Sequence, residues 1–533
     1  MFGRITRSSA IVFILLVVVS LIAAISILPP DAKEPHPDSA IFIYAGQQIL
    51  NGDTLYKDLW DNKGPLLYYI NALAVFISGT SMWGLFVIEY LGLLASILLG
   101  YLSIKKAFGK VPAVFASVVW PLALFYINDN GGNFTEEYSV PLGFAAIYLY
   151  LRSREKGGSL PYVFLIGVTF SLSFLLRPNN TGIQIAAALL IFISGILNRR
   201  YYRLIKEIIA YGLGVILVLG LTLLYFHGKD ALGDFYDAFI VYNSAYSVVS
   251  VRDRIASLMF GLRLISPTGL VVVAVVAWFL GISRLAGGND GDESRRALIA
   301  LAALALPLEF LLSSLSGLTF NHYYLCWLPV LAIMTGYFIF ELMRAVSSAS
   351  FNFFNRKISL SYIWIFGFLA AMSFLALAKI PARIGSFVST TVNPNTVLEA
   401  IKENLDDENY LLMWGSSAYY NYVTEVKSPS RYFHQLPLFL CAYTTDEMIE
   451  EFLDDVKQKK SLIVDTSATD IYLPPFDREE RKKWKYMDFT ERVNEGCTMS
   501  PKMEEVFDYV YSNYELVATT DRFKWKIYRY VGN

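Results

Sequence analysis

The stretch PDSAIFIYAGQQILNGDTLYKDLWDNKGPLLYYINALAVFISG, residues 37–79, decides how the rest of the chain is interpreted. It begins with charged and aromatic residues and ends in an apolar run, residues 65–79. That run has about 15 residues, whereas a helix needs about 20 apolar residues to cross a bilayer. We therefore expect residues 65–79 to form an interfacial helix on the membrane surface.

The composition of the chain is that of an integral membrane protein. It has 533 residues, of which 55% are hydrophobic and 17% are charged, whereas soluble domains carry about 25% charged residues. A formal net charge of -1 argues against a nucleic-acid partner, which would require a basic face. Cys326, Cys441 and Cys497 fit no metal-ligand spacing, and a single disulfide between the last two stays open.

Eleven apolar segments predict a mainly α, polytopic bundle of about 11 transmembrane helices, with additional interfacial helices. The interfacial run 65–79 is not counted among them. The predicted spans are 10–28, 83–104, 111–127, 137–151, 160–176, 180–197, 208–226, 258–282, 297–315, 323–340 and 358–378.

The distribution of lysine and arginine predicts which side each loop faces. If 65–79 lies on the surface, the basic loops at 105–110, 152–156, 199–206, 284–296 and 344–357 all fall on one side. Basic loops are enriched in the cytoplasm. We therefore expect a multi-pass cell-membrane protein with its amino terminus in the cytoplasm and its carboxyl-terminal part outside.

From about Ile380 the sequence changes from apolar spans to alternating helix and strand patterns. Roughly 150 residues suffice for one small domain. We predict a transmembrane domain at 1–379, with its first outer loop at 29–82, and a small extracytoplasmic α/β domain at 380–533.

In this topology, ionisable residues collect at the outer membrane boundary, where they are costly unless they are used, paired or hydrated. Carboxylates there can act as a general base, and basic side chains can hold a phosphate. This combination is typical of a site for a lipid-linked phosphate substrate. The candidate residues are Asp38, Asp58, Asp61, Lys63, Glu136, Glu137, Arg177, His322 and Tyr323.

Three segments of the chain resemble a known family: the first outer loop with PDS and YAGQQILNGDTLYKDLWDNKGPLLYYINAL, the later RP, and NHYYLCWLP. They are similar to the GT-C glycosyltransferases of the protein O-mannosyltransferase and aminoarabinose-transferase type. The stretch WGSSAYYNYVTEVKSPSRYF, residues 414–433, also resembles the outer domain of many members. The resemblance implies a polytopic enzyme that uses a polyprenyl-phosphate sugar donor at the outer face of the membrane.

The resemblance further implies that the acidic residue of the first loop, Asp38, is the general base of an inverting transfer. An acceptor hydroxyl would be deprotonated by Asp38, while Lys63 and Arg177 would stabilise the phosphate that leaves. The acceptor would be a glycan, lipid or protein of the cell envelope. Glu136 and Glu137 are further candidate catalytic residues, and Asp58, Asp61, His322 and Tyr323 are candidate substrate contacts.

Other interpretations remain for these residues. Asp38 is also a typical helix N-cap, and Glu136 and Glu137 can stabilise the start of a helix. A divalent cation stays open as a cofactor: its donors could be drawn from His36, Asp38, Glu136 or His322, although no tight ligand spacing supports such a site. The whole chain could instead be a transporter of lipid-linked sugars, but a transporter usually shows internal repeats and charges at the bilayer midplane. A non-catalytic assembly subunit is the third alternative, because Ser39 follows Asp38 where many relatives have a second acid.

Overall fold

The computed structural model describes most of the chain. The described residues are 7–29, 34–128, 131–155, 159–246, 249–288, 292–346, 350–353, 356–359, 367, 370–371, 373–374, 377–392, 395–405, 410–486 and 498–532.

Helices dominate the described residues. The α-helices, α1 to α22 in chain order, are Arg7–Ala24, Pro37–Leu50, Pro65–Ser78, Trp83–Phe108, Lys110–Val119, Leu124–Ile127, Thr135–Glu155, Leu160–Phe174, Gly182–Leu197, Tyr201–Gly228, Leu232–Tyr236, Tyr242–Tyr246, Val251–Ile265, Leu270–Gly287, Glu293–Ser313, Leu328–Val346, Ile380–Val392, Thr396–Asn404, Tyr419–Thr424, Asp446–Gln458, Arg478–Arg481 and Lys502–Asn513. The strands β1 to β6 are Ser350–Phe353, Arg356–Ser359, Tyr410–Trp414, Ser461–Asp465, Tyr514–Thr519 and Lys526–Tyr530.

The chain folds into two compact units. The first unit consists of Met1–Leu28, Phe86–Leu223 and Val249–Ser386, and it contains most of the long apolar helices. Its core is formed by large side chains such as Trp120, Phe144 and Trp327. Apolar side chains on α10, including Leu213, Ile216 and Leu221, are exposed, as expected for a helix whose surface contacts hydrocarbon.

The prediction of a mainly α, polytopic membrane fold is confirmed. Among the described residues, seven helices are long and apolar enough to cross a membrane: Arg7–Ile27, Trp83–Phe108, Lys110–Ile127, Tyr201–Gly228, Leu270–Gly287, Glu293–Ser313 and Asn321–Val346. The predicted spans 160–176 and 180–197 form shorter apolar helices, and 137–151 lies in α7, which contains Pro141. The predicted span 358–378 lies largely outside the described residues.

One predicted span is wrong as a single helix. Residues 258–282 are divided between α13 and α14, which are separated by a short turn at Ser266–Thr268. Gly269 follows this turn with a φ of 75°, a left-handed conformation that favours glycine. Because the sequence stays largely apolar through this turn, the apolar run alone does not show that the helix ends and a second helix begins.

The second unit consists of Pro29–Leu85, Leu224–Val248 and Phe387–Asn533. It contains α2, α3 and a sheet with strand order β3-β4-β6-β5, in which β3 and β4 are parallel and β4-β6-β5 are antiparallel. The alternation of helix and strand that the sequence predicts here is observed: α18, β3 and α19 follow residue 395, β4 is buried, and β5 and β6 form an antiparallel hairpin. Cys441 is disulfide-bonded, and Cys497 lies outside the described residues.

Helices α2 and α3 pack closely against each other. A side chain at Gly46 of α2 would lie 2.6 Å from the backbone nitrogen of Ala72 in α3, so only glycine fits there. One turn earlier in each helix, the rings of Phe42 and Tyr68 meet edge to face with centroids 5.9 Å apart. From the Phe42–Tyr68 contact to the Gly46–Ala72 contact, the position shifts four residues toward the C-terminus in both helices. The two helices therefore run parallel, and their first turns lie at the same end.

Substituting Gly46→Ala is expected to lower the stability of the protein, because the added methyl group clashes with the backbone of α3. Overpacking of this kind costs about 1–3 kcal/mol, which corresponds to a drop of several degrees in thermal midpoint. The matched control is Gly220→Ala in α10, where an added methyl group contacts nothing within 4 Å. Thermal unfolding in detergent measures both, and equal midpoints for the two variants would contradict the close helix contact.

Candidate active site

Asp38 lies in the first turn of α2, with Pro37 as the first helical residue. The N-cap is His36, whose Nδ1 accepts a hydrogen bond from the Asp38 backbone N–H at 3.2 Å. The interpretation of Asp38 as an N-cap is therefore wrong. Its carboxylate is half-buried and has no hydrogen-bond or ion-pair partner within the described part of the chain. The described residues therefore leave its carboxylate oxygens uncommitted to a protein contact.

Lys63 is held at several points immediately before α3. Its backbone N–H donates to Tyr68 Oη at 3.3 Å, and its carbonyl accepts a hydrogen bond from Tyr56 Oη at 2.7 Å. Its ammonium group is half-buried and donates to Asn62 Oδ1 at 3.2 Å. Helix α3 begins two residues later without an acidic residue in its first turn. A helix N-terminus beside a lysine favours an anion.

Asp61 is a buried carboxylate at the centre of this turn. Its Oδ2 accepts a hydrogen bond from Tyr68 Oη at 2.6 Å, and its Oδ1 accepts one from the Asn62 backbone N–H at 2.7 Å. Burial alone raises the pKa of Asp61, but His434, Lys63 and Tyr68 outweigh it and hold the pKa below its usual range. Asp61 is therefore an ionised group that organises the loop through protein contacts.

Asp58 has a structural partner in the same loop. Its Oδ2 accepts a hydrogen bond from the Thr54 backbone N–H at 2.8 Å, and its own N–H donates to the Thr54 carbonyl at 2.8 Å. These two bonds close a tight turn in which Tyr56 has a φ of 70°. The Asp58 side chain is exposed, so its predicted contact with substrate stays a prediction.

The first unit contains the other candidate residues. Arg177 forms an ion pair with Glu136, in which the glutamate side chain is completely buried and the arginine side chain is 14% exposed. The guanidinium carbon of Arg177 also lies 3.5 Å from the centroid of the Tyr323 ring. A paired guanidinium stacked on an aromatic ring has a fixed orientation.

His322 and Glu137 contact the loop that precedes α7. The His322 ring stacks on Phe134 with centroids 4.0 Å apart and an interplanar angle of 5°. Glu137 accepts hydrogen bonds from Asn128 Nδ2 at 2.7 Å and from the Phe134 backbone N–H at 3.0 Å. Both predicted site residues therefore fix the conformation of this loop.

The structure thus divides the candidate residues between the two units. Asp38, Asp58, Asp61 and Lys63 belong to the second unit, and Glu136, Glu137, Arg177, His322 and Tyr323 belong to the first. Within the described residues, no group of three or more histidine, cysteine, aspartate or glutamate side chains could hold a metal ion. The described residues therefore give no evidence for the divalent cation that the sequence left open.

Two further residues of these clusters are not among the predicted site residues. Glu89 of α4 is buried and accepts a hydrogen bond from the Asn133 backbone N–H; a lone glutamate in an apolar helix is the signal that could have identified it. His434 Nε2 lies 3.6 Å from Asp61 Oδ1. Nothing in the sequence near His434 indicates a partner so distant along the chain.

Comparison with known proteins agrees with this fold. Residues 62–226 match the family described as dolichyl-phosphate-mannose-protein mannosyltransferase. The chain is similar in structure to ArnT from Cupriavidus metallidurans bound to undecaprenyl phosphate, with a TM-score of 0.57 and 11% identity over 99% of both chains. The apo state of ArnT gives a TM-score of 0.57 and 12% identity over 99% of both chains.

A second structural relative is the apo oligosaccharyltransferase of Archaeoglobus fulgidus, with a TM-score of 0.51 and 13% identity over 96% of this chain and 80% of that chain. The search of curated proteins gives no match. The chain is therefore a multi-pass membrane protein with the GT-C glycosyltransferase fold. The resemblance to the GT-C glycosyltransferases that the first outer loop indicates is confirmed.

Substituting Glu136→Gln is expected to destabilise the first unit, because it leaves the Arg177 charge without its buried partner. Breaking one partner of a buried ion pair costs about 3–5 kcal/mol. The control is Lys57→Met in the exposed Lys57–Asp230 pair, whose atoms are 3.5 Å apart and for which a loss of at most about 1 kcal/mol is expected. Denaturant titration in detergent gives both free energies of unfolding, and equal losses would refute a buried Arg177–Glu136 pair.

Proposed function

We propose that this protein is a glycosyltransferase that moves a sugar from a polyprenyl-phosphate donor to a cell-envelope acceptor at the outer face of the membrane. The acceptor is a glycolipid, a polysaccharide or a protein. The family match, the GT-C fold and the undecaprenyl phosphate bound to ArnT support a lipid-phosphate donor. In this proposal the amino terminus is cytoplasmic and residues 380–533 are outside the membrane.

The parallel packing of α2 and α3 is the observation that carries this proposal. It brings the first turns of both helices to one end, with Asp38 in the first turn of α2 and Lys63 just before the first turn of α3. The positive ends of two helix dipoles and one ammonium group then favour a phosphate at that end. The Asp38 carboxylate, which has no partner among the described residues, provides the proton acceptor.

The reaction follows from this arrangement. Asp38 removes the proton of the acceptor hydroxyl, whose oxygen attacks the anomeric carbon of the donor sugar. The bond between that carbon and the phosphate oxygen breaks, and the lipid phosphate leaves with the electron pair. Lys63 stabilises the negative charge that develops on this phosphate. A single displacement inverts the configuration at the anomeric carbon.

For the first unit taken by itself, Arg177, His322 and Tyr323 stay proposed substrate contacts. Arg177 and Tyr323 pack on each other, and an oriented guanidinium beside an aromatic ring suits a phosphate or a sugar face. The His322 ring in turn contacts the ring of Tyr323. Within the same unit, Glu136 pairs with Arg177 and Glu137 holds the loop before α7.

The Asp38→Asn substitution tests the proposed base. We expect kcat for sugar transfer to fall by about 100-fold or more, because the amide cannot accept the hydroxyl proton. Purified protein would be assayed with a panel of radiolabelled polyprenyl-phosphate hexoses and pentoses and an envelope extract as acceptor. Asp454→Asn, an exposed position on α20, is the matched control. Full activity of the Asp38→Asn variant would remove Asp38 as the base.

Replacing Lys63 tests the phosphate contact separately from catalysis. We expect the Lys63→Met variant to bind undecaprenyl phosphate about tenfold more weakly, because a charge-assisted hydrogen bond is lost. Native mass spectrometry would measure binding of undecaprenyl phosphate and of undecaprenol, which lacks the phosphate. The Lys57→Met control should bind both lipids as the natural protein does. An equal loss of both lipids in the Lys63→Met variant would contradict a phosphate contact.

A further inference from the structure

His434 is a buried histidine whose hydrogen-bonding groups are unused by the described residues. It is 4% exposed, and neither ring nitrogen has a hydrogen-bond partner in the part of the chain that the structure describes. Its Nε2 atom lies 3.6 Å from Asp61 Oδ1, which is an ion-pair distance but too long for a hydrogen bond. Leaving such a group unsatisfied is costly, so its position beside Asp61 calls for a functional explanation.

The surroundings of His434 fix its ring beside the first loop. The ring packs near Trp60 and Phe433, with centroids 5.9 and 5.1 Å away. The backbone N–H of Trp60 donates to the Arg431 carbonyl at 2.9 Å, which aligns the two segments.

The charged groups near His434 come from two segments. Asp61 and, through it, Lys63 belong to the first loop, and Asp470 follows β4. The His434 imidazole therefore lies near two carboxylates, those of Asp61 and Asp470. It is a side chain of the C-terminal segment that acts on Asp61.

Asp61 connects His434 to Lys63. Its carboxylate accepts hydrogen bonds from the Asn62 backbone N–H and from Tyr68 Oη, and Tyr68 Oη in turn accepts the Lys63 N–H. Without His434, the nearby cation for the buried Asp61 charge is the Lys63 ammonium group. Lys63 would then be attracted back toward Asp61 and away from a phosphate.

We propose that His434 is a positioning residue for Lys63: by facing the Asp61 carboxylate, it offsets that buried charge and leaves the Lys63 ammonium group for the phosphate of the donor. This inference rests on the proposed function of Lys63 as the phosphate contact. In this proposal, the C-terminal segment contributes to donor binding, because its residue His434 acts on Lys63 through Asp61.

The test compares the natural protein with the His434→Phe and His434→Gln variants. Undecaprenyl phosphate binding and the KM for the sugar donor are measured, together with kcat and thermal midpoint. We expect His434→Phe to raise Kd and KM about tenfold with kcat changed less than about threefold, because misplacing a binding group mainly weakens binding. His434→Gln, which places an amide near the position of Nε2, should recover most of the affinity. The exposed His227 provides the control variant His227→Phe, which should bind as the natural protein does.

A double-mutant cycle with Asp61→Asn supplies the decisive readout. Once the Asp61 charge is removed, replacing His434 with phenylalanine should change Kd by less than about twofold. If the effects of the two substitutions instead multiply, or if His434→Phe binds undecaprenyl phosphate as tightly as the natural protein, the positioning role is overturned. If His434→Phe does not fold, the smaller His434→Ala substitution takes its place in the cycle with Asp61→Asn. Absence of undecaprenyl phosphate binding by the natural protein would instead overturn the proposed function itself.

Discussion

The close contact between α2 and α3 at Gly46 is the constraint on which the candidate active site depends. A side chain at this position would collide with the α3 backbone at Ala72. Because the helices meet there and at Phe42 and Tyr68 with the same spacing, they run parallel. Parallel neighbours bring two positive helix ends together, and a carboxylate and a lysine that are distant in sequence come to the same end.

The second unit joins this helix pair to segments from the other end of the chain. Lys427 Nζ lies 2.7 Å from Asp53 Oδ1, and the backbones of Trp60 and Arg431 are hydrogen-bonded. The predicted domain boundary between residues 379 and 380 follows the change in composition. In the structure, residues 29–85 and 387–533 belong to the same compact unit. The C-terminal segment is therefore a structural support for the first loop, which gives a physical reason for the family-like stretch at 414–433.

Local patterns were sufficient to predict most helices and the strands of the second unit, because apolar periodicity reports burial directly. They also placed Lys63 immediately before a helix. The partners of the candidate residues could not be predicted in the same way. His434 and Asp61, or Glu89 and Asn133, meet only after folding, and their sequence neighbours carry no trace of the contact. Asp38 is not an N-cap, because Pro37 occupies the first helical position and moves the cap to His36.

In the proposed function, the donor phosphate binds at the shared end of α2 and α3. The most direct measurement is a cryo-electron-microscopy structure of the protein with undecaprenyl phosphate. We expect phosphate density within hydrogen-bonding distance of Lys63 Nζ, at the first turn of α3, with the Asp38 carboxylate facing the same space. Phosphate density away from this turn, with Lys63 still donating to Asn62, would contradict it.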